Sequence, residues 1–551
     1  MRDSVSMLWD TMWKGHTHVI DSIRFIASGN NGGGGTPIPS SETEKGGQPG
    51  RNLNPIFTPR QKVGLVLGPL LFLLTLLFFR PSGLSMEGVA VLASTLWIAT
   101  WWITEAAPIP ATALLPIVLF PLTGGLEIDA TTSAYGDDNI FLFLGGFVIA
   151  LALERWNLHK RIALGIIAMI GTSTERIVLG FMVATGFLSM WISNTATSMM
   201  MVPIGLAIIY QVAEAVKDEE EIDTSPGEFR FGKALMLGIA YSASIGGLGT
   251  LIGTPPNTLF AGAVENLYGI QFSFGKWMLF GVPLAIVFTL ISWFYLVKIA
   301  YPMKLKELPG GKSVIEKERS ELGKMSKEEQ VVLTVFVLTA VLWISRSFII
   351  QPYIPGINDA VIGIGAAILL FVIPSRNFRG QFLMDWDTAK KLPWGILLLF
   401  GGGLAIASGF KESGLAEWMG QQLTVLENVP FFLILVAVIT MVIFLTEITS
   451  NTATASMMFP IMGTLAMAIG VHPYSLMVAA GIAASCAFML PVATPPNAVV
   501  FGSGYLRIPD MVRAGIWLNV AAIFVLSLAI YLLLPLVWGV DLTIFPERFL
   551  N

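Results

Sequence analysis

Reactive and metal-binding side chains are scarce in this chain. It has a single cysteine, Cys486, in an apolar segment, which excludes a disulfide framework and a cysteine metal site. The four histidines, His16, His18, His159 and His472, are scattered, which argues against a histidine metal cluster or a Ser-His catalytic pair. Charge is sparse as well. Only 13% of the 551 residues are charged, against about 25% in soluble domains. Hydrophobic residues make up 54%, and several apolar stretches exceed the ~18 residues that read as a membrane-spanning helix. An ordinary soluble domain is excluded, and the fold class is an all-α polytopic membrane protein in a lipid bilayer. The net charge of −4 sits in loops and calls for no nucleic-acid partner.

What the chain does carry, twice, is a short polar phrase. Ser193-Asn194-Thr195-Ala196-Thr197 is followed by Met200-Met201 and Pro203-Ile204; Ser450-Asn451-Thr452-Ala453-Thr454 is followed by Met457-Met458 and Pro460-Ile461, at a constant offset of 257 residues. Downstream of each lies a second shared phrase, Thr254-Pro255-Pro256-Asn257 and Thr494-Pro495-Pro496-Asn497. Gly145-Gly146 before the first phrase matches Gly401-Gly402 before the second, and reads as close helix packing. The pattern is an internal duplication, with a hydrophilic insert from Lys217 to Lys233 in the first copy.

The repeat sets the domain plan. Residues 1–60 read as a flexible cytoplasmic arm, because 30–50 is Gly/Ser/Pro-rich and 1–28 lacks the apolar core of a cleaved signal peptide. The first half is 61–302, a charged cytoplasmic linker is 303–329, and the second half is 330–551. The stretch 175–214 would reach about 60 Å as one helix, twice the ~30 Å hydrocarbon core. It is therefore predicted to enter and turn back, with its polar phrase at the tip, and so is 430–470. Irregular backbone at such a tip has to be covered by protein. Consecutive prolines stop a helix, so 234–264 and 474–504 are predicted to be broken helices. Short amphipathic stretches are expected at 158–171 and 413–426.

Loop charges orient the plan. Seven Lys/Arg lie between Lys304 and Lys327 and four between Arg376 and Lys391, whereas loop 123–139 has four acids and no base. By the positive-inside rule the count gives about eleven spans and two hairpins, amino end cytoplasmic and carboxyl end external, with the halves inverted. Arg80 and Arg346 fall on the external side against the rule.

Inverted repeats with broken helices place a binding site at their interface. Here the side chains on offer are Ser, Thr and Asn, whose oxygens suit a hard cation and whose N–H and O–H groups suit a carboxylate. There is no Lys or Arg between Ile177 and Val216, Ala234 and Gly275, or Glu412 and Leu506. An anion bound there needs positive charge from elsewhere, and sodium at the same tips would supply it. Glu447, one turn before Asn451, is matched by Met190 in the first half and reads as a hydrogen-bonded local feature.

The paired Ser-Asn-Thr phrases, each followed by Pro-Pro-Asn, resemble the divalent anion:sodium symporter family, the sodium–dicarboxylate and citrate cotransporters, over about residues 60–540. The resemblance implies a homodimer in the cell membrane with a scaffold and a moving transport domain, an elevator-type transporter. It implies one Na+ at Ser189, Ser193, Asn194 and Gly253 and another at Thr446, Thr449, Asn451 and Ala493. Substrate carboxylates would meet Asn194, Thr195, Thr254, Asn451, Thr452 and Pro495. Sodium-coupled uptake of C4-dicarboxylates such as succinate, malate and fumarate is the expected function. A sodium-independent exchanger, and sulfate or citrate as cargo, are alternatives within the family. An intramembrane enzyme is disfavoured because no His or Lys base accompanies the serines. An anion channel is disfavoured because it would not need two cation-suited tips.

Overall fold

Prolines, glycines and small polar residues decide where these helices stop. In the computed structural model the described residues are 58–171, 173–217, 223–303, 311–378 and 380–549. The arm expected over 1–60 therefore lies almost wholly outside them, as do parts of the Lys217–Lys233 insert and the 303–329 linker. Among the described residues the chain is helical, with β-pairing limited to isolated bridges. Eight helices among the described residues are long and apolar enough to cross a bilayer: Pro59–Phe78, Met86–Thr104, Ile128–Arg155, Asn194–Ala215, Phe274–Ala300, Lys327–Ile350, Trp394–Glu412 and Ile508–Trp538. Shorter apolar helices, Ile109–Thr123, Asp359–Val372 and Pro473–Ala484, lie between them. With the interrupted helix 230–268 as a crossing and Asn194–Ala215 as a hairpin arm, this is compatible with about eleven spans.

The two Ser-Asn-Thr phrases both begin a helix. Thr174–Ser189 and Asn194–Ala215 flank the first turn, and Phe431–Thr446 and Asn451–Ala468 flank the second. Ser193 is the N-cap of its helix, its hydroxyl accepting from Ala196 N at 3.2 Å, as small hydroxyl residues do at that position. The Thr-Pro-Pro-Asn phrases also start helices. Arg230–Gly247 stops and Pro255–Tyr268 begins after it; Pro473–Ala484 stops and Pro495–Phe501 follows. The missing proline N–H is harmless in a first turn, so each break ends on its prolines. Amphipathic helices Leu158–Ile170 and Leu415–Leu423 adjoin the hairpins, the latter bending into Phe431–Thr446 at 116°.

The halves interlock crosswise. The first hairpin packs on Arg230–Gly247 of its own half and on Pro495–Phe501 of the other. The second packs on Pro473–Ala484 and on Pro255–Tyr268. Helices 59–78 and 86–104 pair beside this assembly, as do 138–155 and 359–372, and 394–412 joins the two groups. The glycine pairs make the close contacts. A Cβ on Gly145 would lie 2.5 Å from the Gly363 backbone, and one on Gly402 2.5 Å from Ala113 O. Leu70, Leu73 and Leu77 of the outer helix 59–78 stay exposed, as lipid-facing side chains do.

The two basic exceptions to the charge rule are accounted for locally. Arg346 is buried against Asp359 at 2.5 Å. Arg80 turns back onto carbonyls of its own helix end, Nη2 to Leu76 O at 2.7 Å, where a cation is favoured.

Candidate binding site at the two helix breaks

At the first tip, three chain segments bring oxygens together. Ser189 Oγ lies 2.5 Å from Asn194 Oδ1 and 2.6 Å from Ala243 O. Rotated half a turn, the Asn194 amide nitrogen would donate from that same place to Ser189 Oγ and, at 3.2 Å each, to Ala243 O and Gly253 O. With nitrogen there the cluster satisfies itself. With the carboxamide oxygen there, four oxygens face one another and a cation reconciles them. All four are hydroxyl, amide or carbonyl oxygens, the donor set of a hard cation. The approach depends on glycine: a Cβ on Gly247 would lie 2.8 Å from Asn194 Oδ1, and one on Gly253 would collide with Gly247 O.

The second tip repeats part of this. Thr446 Oγ1 lies 2.7 Å from Asn451 Oδ1 and 2.8 Å from Ala484 O. Ala493 stands where the first half has Gly253, and its N–H donates to Leu490 O at 3.2 Å. The structure thus gathers Ser189, Asn194 and Gly253 at one tip and Thr446 with Asn451 at the other. It adds the backbone oxygens of Ala243 and Ala484, which no side-chain pattern announces. Two expected ligands point their hydroxyls elsewhere. Ser193 Oγ is the N-cap acceptor described above, and Thr449 Oγ1 bonds Leu445 O at 2.8 Å and Thr454 Oγ1 at 2.7 Å inside its own hairpin. Any part these two play in holding sodium would rest on other atoms or on a rearrangement.

Anion-suited donors sit beside each oxygen cluster. Among the described residues, the Thr195 and Thr452 hydroxyls and the Asn451 Nδ2 group have no hydrogen-bond partner, and they lie in the first turn of a helix. Unpaired N–H groups and the dipole make such a helix start favourable for negative charge. Thr254 Oγ1 reaches across the repeat boundary to Ser485 Oγ at 3.4 Å, so the two breaks meet. Pro495 is exposed beside Thr494.

Three groups that sequence reasoning did not assign to the site hold the breaks in shape. Asn257 Nδ2 donates to Gly247 O (3.0 Å) and Thr250 O (2.8 Å), and Asn497 Nδ2 to Ala487 O (3.2 Å) and Leu490 O (3.0 Å). Each thus serves carbonyls that a stopped helix leaves unpaired. Glu447, buried, takes Phe488 N (2.8 Å), Met489 N (2.9 Å) and Asn519 Nδ2 (2.7 Å) on Oε1 and Leu490 N (3.1 Å) on Oε2. The repetition of Asn257 and Asn497 was the available signal for the first two. Away from the tips, Asp137, Asp138 and Glu265 gather around Asn139, whose Nδ2 donates to all three at 3.0–3.2 Å.

Comparison with known proteins agrees with this architecture. A family model described as the sodium:sulfate symporter transmembrane region matches residues 60–544. A Staphylococcus saprophyticus protein named sodium-dependent dicarboxylate transporter SdcS is 53% identical over 494 residues, 89% of this chain and 94% of the relative. Its namesake in Staphylococcus aureus is 54% identical over 490 residues, 88% of this chain and 94% of the relative. Among solved structures, Neisseria gonorrhoeae MtrF, from a class of antimetabolite efflux pumps, aligns with TM-score 0.52 at 13% identity over 87% of this chain and 96% of its own. The Alcanivorax borkumensis YdaH transporter aligns with TM-score 0.50 at 14% identity, over 81% and 98%. At that identity the likeness concerns the fold alone. With the family model and the half-identical relatives spanning nearly all of the described residues, the chain belongs to the sodium:sulfate symporter family of membrane transporters, the divalent anion:sodium symporters, and not to an enzyme family.

Proposed function

We propose that the protein couples sodium entry to uptake of C4-dicarboxylates such as succinate, malate and fumarate across the cell membrane. One observation carries the reading: each half pairs an oxygen cluster with a helix start whose amide and hydroxyl donors face the same tip. The name of the relatives, sodium-dependent dicarboxylate transporter, supports the cargo. A dicarboxylate has two carboxylates, and the inverted halves offer two helix starts, Asn194–Ala215 and Asn451–Ala468, one for each.

The coupling follows from charge and from the asparagine carboxamides. No Lys or Arg lies in either hairpin stretch between Ile177 and Val216 or between Glu412 and Leu506. Two buried carboxylates there need compensation, which sodium at the tips supplies. When Asn194 turns its oxygen to the cluster around Ser189, its N–H group turns away from that cluster and toward the substrate side. Sodium thus orients the donor that the anion uses. Asn194, Thr195, Thr254, Asn451, Thr452 and Pro495 would line the substrate. Ser189, Asn194, Gly253, Thr446, Asn451 and Ala493 would line the ions, with the Ala243 and Ala484 carbonyls completing them.

The hairpins and broken helices would move as one body against helices 59–123, 138–155 and 327–412, the elevator motion of a homodimer with its amino end cytoplasmic and its carboxyl end external. The test is radiolabelled succinate uptake into proteoliposomes. Uptake is expected to require an inward sodium gradient. Equal uptake in choline or potassium would instead favour a sodium-independent exchanger.

A further inference from the structure

The two tips are held by different kinds of neighbour. The first is gripped by its own broken helix, Thr250 Oγ1 donating to Met190 O at 2.5 Å, and Trp191 packs edge-on to Phe336 at 5.1 Å. The second presents Ile448, 55% exposed, and beside it the exposed Val492 of the second break. Its outward carbonyl, Ile448 O, accepts from Arg60 Nη2 at 2.9 Å, across 388 positions of sequence. The same nitrogen donates to Ile103 O. Arg60 lies in the first turn of helix 59–78, which is anchored independently of the hairpin. Thr58 and Gln61 form a capping box, Gln61 Nε2 donates to Glu105 O at 3.1 Å, and Trp101 Nε1 to Gly64 O at 3.0 Å. The guanidinium therefore belongs to the paired helices 59–78 and 86–104. The carbonyl it holds follows the end of Phe431–Thr446, where unpaired C=O groups favour a cation.

We propose that Arg60 is a latch: it caps the tip of the second hairpin from the 59–78/86–104 pair in the conformation described here, and releases it when the hairpin moves. This rests on the transport reading above, in which the hairpin moves and the pair does not. With the amino end of helix 59–78 cytoplasmic, the latched conformation is the one whose exposed second break, at Val492, opens to the cytoplasm. Arg60 acts as a positioning residue, through its bonds to Ile448 O and Ile103 O. Among the described residues only the second tip is held by a charged side chain of the static helices. The first hairpin's bond through Thr250 travels with it, and its Trp191–Phe336 contact to helix 327–345 is apolar, so the latch acts on one end of the cycle and not on the other.

The test uses a reporter cysteine, Val492→Cys, in the full chain with Cys486→Ala, labelled by a membrane-impermeant maleimide from the cytoplasmic side of inside-out vesicles. Arg60→Gln is expected to slow labelling three- to tenfold, about 0.7–1.4 kcal/mol in the balance of states, and to speed it from the outside. Arg60→Lys, which keeps a cationic donor, should recover part of the difference. A second measurement replaces the arginine's hydrogen bond by a covalent tether. Joining Arg60→Cys to Ile448→Cys with a short cleavable bis-maleimide, in a chain that keeps Val492 and carries Cys486→Ala, should stop transport until the linker is cut. Unchanged labelling in Arg60→Gln, or a cross-linked protein that still transports, overturns the latch. If labelling of the parent protein ignores both sodium and succinate, the transport reading itself falls. If the parent labels only from outside, the assigned orientation falls and the latch with it.

Discussion

At the first break the backbone closes on itself: Leu248 N donates to Ile245 O at 3.1 Å, and Gly249 N to Gly246 O at 2.9 Å. At the second, the N–H groups of Phe488, Met489 and Leu490 all turn to one side chain, the Glu447 carboxylate. The phrase that ends both breaks is the same, Thr-Pro-Pro-Asn, so the difference comes from what precedes it. Gly247 and Gly253 approach so closely that a Cβ on either would strike an oxygen. Ala487 and Ala493 occupy the matching positions in the second half, so the second break cannot close in the same way. Glu447 supplies the acceptors that the wider turn lacks, and Met190, its counterpart, has nothing equivalent to do. The first break is packed, with Ile252 7% exposed, and the second is open, with Val492 78% exposed. A duplicated element has thus diverged into a tight copy and a loose copy held by a charge.

The largest effect should come from removing that charge. Glu447→Ala takes the acceptor from the buried Asn519 Nδ2 and from the part-buried N–H groups of Met489 and Leu490, and leaves Phe488 N with Asn519 Oδ1 at 3.3 Å. A buried donor left unsatisfied costs about 1–3 kcal/mol, so the purified protein should lose at least that much stability. Met190→Ala at the equivalent position should cost far less, since it removes only side-chain packing. Thermal unfolding in detergent compares the two; equal losses would mean that the breaks do not differ in the way described.

Next are the two tip asparagines. Losing one buried charge-assisted hydrogen bond costs about 1.5–3 kcal/mol, ten- to more than a hundredfold in affinity. Asn194→Ala and Asn451→Ala are each expected to weaken succinate uptake by that factor and to raise the sodium concentration for half-maximal rate. Gln421→Ala, on an exposed face, serves as the control. Asn358 does not, because its Nδ2 donates to Asp138 Oδ2 at 2.8 Å and its Oδ1 caps Val361 N. Well-expressed asparagine variants with unaltered sodium and succinate dependence would remove the tips from the site.

Gly253→Ala sharpens the contrast at smaller magnitude. Forcing a methyl group against Gly247 O costs about 1–3 kcal/mol as overpacking, and it should appear as weaker sodium dependence, because residue 253 has to shift and its own carbonyl is one of the cluster. Ala493→Gly removes a methyl group from a roomier break and should leave sodium dependence within about twofold, a few tenths of a kcal/mol. Sodium titration of uptake at fixed succinate distinguishes them.

Much of this arrangement is legible in the sequence because it is local. A polar phrase inside about forty apolar residues, two prolines in a row and a Gly-Gly inside a span each carry their consequence within a few positions. That is why helix ends, tips and breaks fall where the residues place them. The parts that escape are those made by distant backbone. Ala243 and Ala484 contribute carbonyls, and a carbonyl has no residue type to read. Glu447 finds its partners 41 to 72 positions away, so it reads only as a hydrogen-bonded acid beside a motif. Ser193 and Thr449 are the converse case. Each hydroxyl is the right chemistry for an ion, but a nearer partner takes it, an N-cap amide for one and a neighbouring threonine for the other.

The smallest test concerns Thr254 and Thr494, the same residue in the same phrase. Thr494 Oγ1 accepts from Asn497 N at 3.3 Å, capping its own helix. Thr254 makes no such cap, and its hydroxyl points across the repeat boundary to Ser485 at a loose 3.4 Å. One hydroxyl therefore serves the fold, and the other is available to a ligand. Thr494→Val should cost about 1 kcal/mol of stability, the usual value of a lost N-cap, with the succinate concentration for half-maximal uptake little changed. Thr254→Val keeps the shape and removes only a weak contact, so stability should stay within about 0.5 kcal/mol, as for sites without a strong interaction. If its hydroxyl meets a substrate carboxylate, half-maximal uptake should need severalfold more succinate. Paired melting and uptake curves on the two variants separate the cases. If the two threonines exchange these effects, so that Thr254 carries stability and Thr494 carries affinity, then the loose copy and not the tight one presents its threonine to the substrate.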